Sequence, residues 1–485
     1  MKDCFTGSMP WDDFVDTFYP IRGERPPLPE LKFNVPLPCE DDPTSDISYY
    51  TERGTVSDFC RAINESGVCP SMDWVNTENV CIDMNGTLST KDPKSKRKVD
   101  ASGMEKPASG KLPVKPDFTR MKVAAEFKLL PQDPVVDADP EWTPEQRKEQ
   151  GYVHQTANAI HARGQATSYA LHSFSYKPRT HVTSLVIMGR WARLLRYDHS
   201  GVVVTERFDW RANKGRLLAD FLSRVEHANA REDGVDDSVG DVSAFNEEQL
   251  IEARKAMKEF SDGMLDVPIE DKAKLRSVKC WDDSQLDENG LPKSRTLIAT
   301  EPLGVNYSIV GRYTTSFIGY DINTRCAYWV KDSWPIDRPG EFEKEGRIYE
   351  RLVDAGVPHI AEVECAGEVR WEEDNMVQRT RTAEFVKADW AGLTANIHPL
   401  SHYRILFKDI GRPITKFGST HQLVTALSHA IEAHSVAYND ADVLHRDISA
   451  GNVLINRKGE GMLIDWDLAL IYDNSPSAVN KSANS

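Results

Sequence analysis

No apolar run in the chain approaches the roughly 18 residues that a membrane-spanning helix needs. The start, Met-Lys-Asp-Cys-Phe-Thr-Gly-Ser, lacks the apolar core of a signal peptide. Cysteine is sparse and scattered: Cys4, Cys39, Cys60, Cys69, Cys81, Cys280, Cys326 and Cys365 form no Cys-x-x-Cys pair and have no histidine at zinc spacing. That excludes a disulfide-stapled secreted scaffold and predicts reduced thiols in an intracellular protein, cytoplasmic or nuclear, without a membrane partner. Basic charge is also short, 59 Lys+Arg against 75 Asp+Glu for a net charge of −16. A generally basic nucleic-acid-binding surface is thereby excluded, and only a local patch is left for such a role. What remains is ordinary globular material: 485 residues, 40% hydrophobic and 9% aromatic, enough for two or three domains with real cores.

Residues 1–88 mix aromatic, proline and helical signals. Within them Val56, Phe59, Cys60 and Ile63 fall at i, i+3, i+4 and i+7 and predict a short amphipathic helix that ends near Gly67. Residues 89–115 are rich in Lys, Ser and Pro with almost no large apolar side chain, too little to offset ordering entropy, and read as a disordered basic insertion. Its run from Lys94 to Lys98 reads as a solvated charge cluster, with a nuclear-import signal as the alternative. Residues 116–230 predict an α/β domain, with strands at Val123 to Leu129, Val182 to Met188, Trp191 to Tyr197 and Gly201 to Thr205, and a helix from Arg216 to Ala228. Residues 231–296 read as an acidic connector with one helix, Asn246 to Phe260. From Leu297 onward strands are expected at Ser308 to Gly311, Phe317 to Tyr320, Cys326 to Lys331 and Tyr403 to Phe407. Helices are expected at Phe342 to Asp354 and Leu423 to Tyr438, the latter with Leu423, Leu427, Ile431 and His434 on one face. The fold class is therefore α+β, an α/β domain followed by a second mixed domain.

The densest chemistry lies between Val443 and Asp467. Val443-Leu444 and Val453-Leu-Ile455 read as short strands that pin the polar loop His445-Arg-Asp-Ile-Ser-Ala-Gly-Asn452, and Met462-Leu-Ile464 reads as a third strand that ends at Asp465. A carboxylate aimed at an acceptor hydroxyl and two oxygen ligands for Mg²⁺ form a minimal phosphoryl-transfer set, because that reaction is mostly positioning and charge neutralisation. The spacing of His445, Arg446, Asp447 and Asn452 resembles the catalytic loop of protein kinases, and Asp465 stands where their metal-binding Asp stands. The resemblance is closest to the fungal-type protein kinase family. It is carried by that loop, by Leu463-Ile-Asp-Trp-Asp-Leu-Ala469 and by Val330-Lys-Asp-Ser-Trp334. Phe14 to Tyr19, Glu126 to Lys128, Gly164-Gln165, Tyr169-Ala170 and Ala192 to Asp198 are similar to that family as well.

The resemblance implies a serine/threonine-type kinase fold that uses ATP and Mg²⁺ on an unidentified protein substrate. It implies Asp447 as catalytic base with Arg446 beside it, and Asn452 and Asp465 as metal ligands. Lys331 is implied at the phosphates, and Glu345 as its partner from the following helix, with Glu343 and Glu350 as rivals. Gly311 would lie in the phosphate-covering loop, Trp329 beside the base and Asp409 at the hinge.

Pro116-Asp117 followed by Glu126-Phe-Lys128 resembles the Pro-Asp…(Asp/Glu)-x-Lys signature of the restriction-endonuclease-like superfamily, and Gln165-x-x-x-Tyr169 a helix motif of some of its members. Strand alternation puts Glu126 and Lys128 on one face and Val123, Ala125 and Phe127 on the other. The resemblance implies a second metal site, with Asp117 and Glu126 as ligands, Lys128 orienting water and Gln165 projecting toward it. The same residues also fit a hairpin edge with a solvated Glu/Lys pair. Nucleic acid, if bound, would be bound by this domain.

The chain departs from the kinase pattern in three places. Gly311-Arg-Tyr-Thr-Thr-Ser-Phe-Ile-Gly319 carries Tyr313 where a second glycine would let the backbone approach phosphate. Trp329 replaces a small residue over the base, and either stacks there or fills the pocket. Only 18 residues follow Asp467, so the expectation is a kinase domain without an activation segment or most of its helical C-lobe, against roughly 250 residues for a complete one. Three readings stay open: a fungal-type kinase homologue transferring phosphate to Ser/Thr hydroxyls, a non-catalytic kinase-like interaction protein, and a metal-dependent nuclease with a kinase-like regulator.

Overall fold

The structure, a computed structural model, describes residues 4–24, 27–36, 52–80, 98–107, 115–128, 133–137, 141–143, 145–146, 152–266, 268–304, 306–392 and 397–472. Cys39, Cys81 and the basic residues 94–97 lie outside them, as does the chain after Tyr472. The chain forms two compact units, the first from Met1–Asp237, Val305–Tyr313 and Arg379–Pro399, the second from Ser238–Gly304, Thr314–Gln378 and Leu400–Ser485. These differ from the expected boundaries at 88, 115, 230 and 296. No helix among the described residues is long and apolar enough to cross a membrane.

The first unit contains β1 (Phe5–Met9), α1 (Trp11–Phe18), α2 (Glu52–Ser66), β2 (Met72–Asn76), β3 (Ala101–Glu105), β4 (Met121–Lys128), α3 (Ala157–Tyr176), β5 (His181–Met188), β6 (Trp191–Asp198), β7 (Val202–Thr205), β8 (Phe208–Asp209) and α4 (Ala212–Glu226). Its mixed sheet runs β1-β7-β6-β5-β4-β3-β2, with β8 against β6. β4 and β5 are parallel, as the crossover through α3 requires. Every residue of β5 is buried, the mark of a strand covered on both faces. One face packs Phe14, Phe59, Trp74, Phe127, Trp210 and Phe221 under α1, α2 and α4, while the other packs Ala166, Ala170 and Phe174 of α3 over Val186 and Leu195.

Over residues 98–107, β3 corrects the reading of residues 89–115 as a disordered insertion; residues 89–97 and 108–114 lie outside the described residues. It is an interior strand between β2 and β4, with Val99, Ala101 and Met104 buried. Its small residues look like linker because the neighbouring indole leaves no room: a Cβ on Gly103 would meet the Trp74 ring at 2.9 Å. Burial comes here from the strands on either side, which composition does not reveal.

The second unit contains β9 (Val239–Gly240), α5 (Glu247–Ser261), β10 (Leu275–Leu286), β11 (Pro292–Thr300), β12 (Thr315–Asp321), β13 (Cys326–Ser333), α6 (Glu345–Asp354), β14 (Val363–Glu368), β15 (Tyr403–Phe407), β16 (Arg412–Pro413), α7 (Thr420–Asp440), β17 (Val443–Leu444), β18 (Val453–Ile455), β19 (Gly461–Leu463) and β20 (Leu470–Ile471). A seven-stranded sheet runs β14-β15-β13-β12-β11-β10-β9, and two small sheets pair β16-β18-β19 and β17-β20. The expected connector at 231–296 is thus part of this sheet through β9, β10 and the start of β11. α5 starts with a capping box between Asn246 and Gln249. Ser308 to Gly311, expected as a strand, is not one and belongs to the first unit.

α7 buries a different face from the one expected. Ala426, Ala430, Ala433 and Ala437 are buried, and Leu427 and Ile431 are exposed. Small side chains let the helix lie close on β19: a Cβ on Gly461 would sit 2.2 Å from the Ala426 carbonyl oxygen.

Candidate active site

β13 is paired on both sides, antiparallel to β12 and to β15. Alternation sends Tyr328 and Val330 into the core on one face and leaves Trp329 and Lys331 on the other. The Lys331 Nζ is buried and meets three carboxylates: Glu345 Oε2 at 2.6 Å, Asp465 Oδ1 at 2.5 Å and Asp467 Oδ2 at 3.7 Å. Burial alone would lower the pKa of this ammonium, but the charges of Glu345, Asp467 and Asp465 outweigh it and hold Lys331 above its usual value. Glu345 sits in the first turn of α6, where a carboxylate suits the helix dipole, and its Oε1 accepts the Trp466 N–H at 3.2 Å. Burial pushes Glu345 up to about 7 against the pull of Lys331. Of the rivals, Glu343 is exposed and Glu350 is exposed and paired with Arg347.

Two short antiparallel pairs, β17 with β20 and β18 with β19, frame the polar loop. His445 is fully buried; its Nε2–H donates to the Ile464 carbonyl at 3.0 Å and its Nδ1 accepts the Asp447 N–H at 3.2 Å. Those two bonds require one neutral tautomer, in keeping with the lowered pKa that burial gives this ring. The Asn452 amide donates to the Asp447 carbonyl oxygen at 2.8 Å and to its Oδ2 at 3.1 Å, and the Ile464 N–H closes onto the Asn452 carbonyl at 3.0 Å. Arg446 is exposed, and it and Asp465 both adopt left-handed backbone, φ 68° and 67°.

A cavity of about 400 Å³ opens between these elements, and Trp329, Lys331, Glu345, Asp409, Asn452 and Asp465 line it. That volume falls in the range of small-molecule sites. Trp329 stands along its wall with the cavity open beside it. Asp409 is fixed by the Glu362 N–H, which donates to its Oδ2 at 2.7 Å. Sequence reasoning missed Met264, Leu265, Asp266, Thr314 and Ser316, which also line the space. The first three follow α5 in what read as a connector, and nothing in their pattern marks them.

Mg²⁺ is bound through few protein ligands, with phosphate oxygens and water completing its shell. Because the Asn452 nitrogen is taken by Asp447, its amide oxygen is the atom suited to a cation, and Asp465 supplies a carboxylate beside it. These residues fit a Mg·nucleotide. Among the described residues no group of three or more His, Cys, Asp or Glu is placed to hold a metal by itself.

Gly311 departs from its expected place. Its N–H donates to the His199 carbonyl at 2.9 Å, Ile309 before it is buried in the first unit's core, and Tyr313 stacks on the His199 ring with centroids 4.3 Å apart. The loop that was to cover phosphates is therefore a structural part of the first unit. Tyr313 in place of a glycine was the sign, since its ring is anchored on His199 within the first unit.

Asp117 is also not where the second metal site needed it. It closes the turn into β4, accepting the Thr119 N–H at 3.0 Å through its side chain and the Met121 N–H at 2.9 Å through its carbonyl. Glu126 lies five residues further along the strand, about 17 Å at normal strand rise. Lys128 pairs with Glu126, and Gln165 and Tyr169 belong to α3 on that side of the sheet. The carboxylate that does approach Glu126 is Asp100, whose Oδ2 accepts the Phe127 N–H at 2.9 Å. It was missed because β3 was read as part of a disordered segment.

A comparison with curated proteins gives no match. The family described as fungal protein kinase matches residues 149–484, well over half of the chain and from just before α3 through the whole polar loop. The chain belongs to the fungal protein kinase family.

Proposed function

We propose that the second unit binds ATP with Mg²⁺ and transfers the γ-phosphoryl group to a serine or threonine hydroxyl of a protein. The observation that carries this reading is Lys331 held between Glu345 and Asp465 on the wall of the cavity. A buried ammonium with three carboxylates around it is poised to exchange part of that contact for phosphate oxygens. Asn452 and Asp465 would hold the Mg²⁺, which when bound neutralises charge on the phosphates. Asp447, anchored by the Asn452 amide and by its own N–H to His445, would accept the hydroxyl proton as the acceptor oxygen bonds to phosphorus and ADP leaves. His445, fixed in one tautomer, positions that loop.

One observation favours a second reading, a kinase-like unit that binds partners without turnover: Gly311, with Ile309 and Tyr313, is held within the first unit instead of in a loop of the second. Thermal shift of the full chain with Mg·ATP separates nucleotide binding from none, and radiolabelled phosphate transfer to generic protein acceptors separates catalysis from binding. A shift abolished by Asp465→Asn, with transfer abolished by Asp447→Asn, is expected. A shift that survives Asp465→Asn would overturn the site, and binding without transfer would favour the second reading.

A further inference from the structure

α5 and the residues that follow it come from the stretch that read as a connector, yet they reach the cavity at Lys331. α5 rests on β12 by burying Ala253 and Met257 in one apolar cluster with Ile318 and Tyr320. It ends at Ser261, and Gly263 takes the left-handed backbone, φ 69°, that such an exit favours. The Met264 and Leu265 N–H groups then donate back to the Ser261 carbonyl at 3.0 and 3.3 Å. The turn so fixed sets Met264 and Leu265, both half-buried, on the cavity wall. They belong to the same apolar cluster as Trp329 and Ile410, which line the cavity as well.

The cavity is therefore divided by chemistry. Trp329 and Lys331 lie two residues apart on one face of β13, about 7 Å along the strand. Glu345 and Asp465 gather at Lys331. Trp329 is paired with Phe407, the last residue of the strand that leads to Ile410.

Arg457, in the turn between β18 and β19, ties this wall to the opposite one. Its guanidinium donates to three carbonyls at the end of α5: Asp262 at 3.2 Å, Glu259 at 3.0 Å and Phe260. The last carbonyls of a helix lack partners within it and carry the negative end of its dipole, so a cation suits them. The strands on either side of that turn contribute Leu454 and Met462 to the cavity, whereas Arg457 is exposed and forms no part of its wall.

We propose that Met264 and Leu265 form, with Trp329, the wall that grips the base of the nucleotide and favours purine over pyrimidine, and that Arg457 is a positioning residue for that wall. This rests on the nucleotide reading of the cavity. With the phosphates on Lys331 and Asp465, the base of the same molecule lies at the apolar end. A wall of thioether, leucine and indole carbon discriminates by the area it covers, and two fused rings bury more than one.

The test is calorimetric titration of the full-length chain with Mg·ATP and with Mg·UTP, two ligands that share their phosphates and ribose. The intact chain should bind ATP about tenfold more tightly than UTP, and Met264→Ala with Leu265→Ala should remove most of that ratio. Amide exchange in β12 and β13 should stay protected in the double variant, which shows that the fold persists. Arg457→Gln leaves every cavity residue in place and should lower the ratio about threefold by misplacing the wall, with part of it recovered in Arg457→Lys. Loosening of the unit as a whole would weaken both nucleotides alike and leave the ratio as it was, so an unchanged ratio in Arg457→Gln overturns the positioning role. Equal binding of ATP and UTP by the intact chain overturns the proposal, as does a ratio unchanged in the folded double variant. If Asp465→Asn abolishes ATP binding and the wall variants do not alter it, the wall alone is wrong; if the intact chain binds no Mg·ATP, the nucleotide reading fails and the wall fails with it.

Discussion

Each unit contains a buried lysine–glutamate pair, and the two are built in opposite ways. Glu126 and Lys128 are two residues apart on β4, so strand alternation alone puts them side by side. Lys331 and Glu345 come from β13 and α6, and Asp465 arrives from 134 residues further on. A neighbour pair forms wherever the strand forms and gains meaning only from what crosses it, here Asp100. A long-range set must be assembled by the whole unit, and its charges hold that assembly together.

The largest effect should separate the two pairs. Lys331→Met removes the ammonium that Glu345, Asp465 and Asp467 share, and breaking a buried pair on one side costs about 3 to 5 kcal/mol. Amide exchange should accelerate in β13 and α6 and stay unchanged in β4. A loss under about 1 kcal/mol would mean that the long-range set is tuned for binding and contributes nothing to the fold.

Close backbone approach sharpens the same contrast. α6 can bring Glu345 under Lys331 because the next residue is glycine: a Cβ on Gly346 would meet the Tyr403 hydroxyl at 2.5 Å and the Ala366 Cβ at 2.6 Å. Gly346→Ala should cost about 1 to 3 kcal/mol in urea unfolding through overpacking. In the first unit Gly164 lies on α3 with nothing within 4 Å of an added Cβ, so Gly164→Ala should instead stabilise by about 0.5 to 1 kcal/mol. Destabilisation by both would place α3 closer to a neighbour than its open surface shows.

Acid should weaken the first unit through His181. Its Nε2–H donates to the Glu232 carbonyl at 3.0 Å, and burial, with Arg196 beside it, holds its pKa well below the ordinary value. The folded state keeps the ring neutral, while the unfolded chain binds a proton below about pH 6.5. The unfolded state then carries more protons, so stability is full above that pH and falls as pH drops below it, by up to about 1.4 kcal/mol per unit. His181→Gln should shrink the difference in melting temperature between pH 7.5 and 5.5. An unchanged difference would move the acid sensitivity elsewhere.

Much of the second unit was legible because its chemistry is local. The loop from His445 to Asn452 carries base, amide and flanking strands in one stretch, and β12, β13 and β15 have alternating or fully apolar runs. The β3 strand was not legible, since its residues Ala101, Ser102 and Gly103 carry no apolar run and Gly103 is small because the Trp74 ring lies against it, and Asp100 was lost with it. Gly311 was misplaced for a related reason: a glycine at loop spacing says what a backbone can approach, not which unit it folds on. Thr314 and Ser316, which line the cavity, carry no pattern of their own.

The helix before the polar loop holds the last contrast, between apolar residues that pack and apolar residues that do not. Periodicity alone favoured Leu427 and Ile431 as the buried face, because large side chains normally contribute most to burial. In α7 the buried stripe is alanine, and Ile431 is 70% exposed and Val424 65%. The reason lies in the partner: β19 starts at Gly461, whose Cα lies against the Ala426 backbone, and no side chain larger than a methyl fits such an approach. Ala433→Leu should therefore cost about 1 to 3 kcal/mol by overpacking, while Ile431→Ser should stay within about 0.5 kcal/mol in the same urea titration, as surface substitutions do. If Ile431→Ser instead costs 2 kcal/mol or more, a covering element lies over that face in solution, and the large residues, not the alanines, set the helix's orientation.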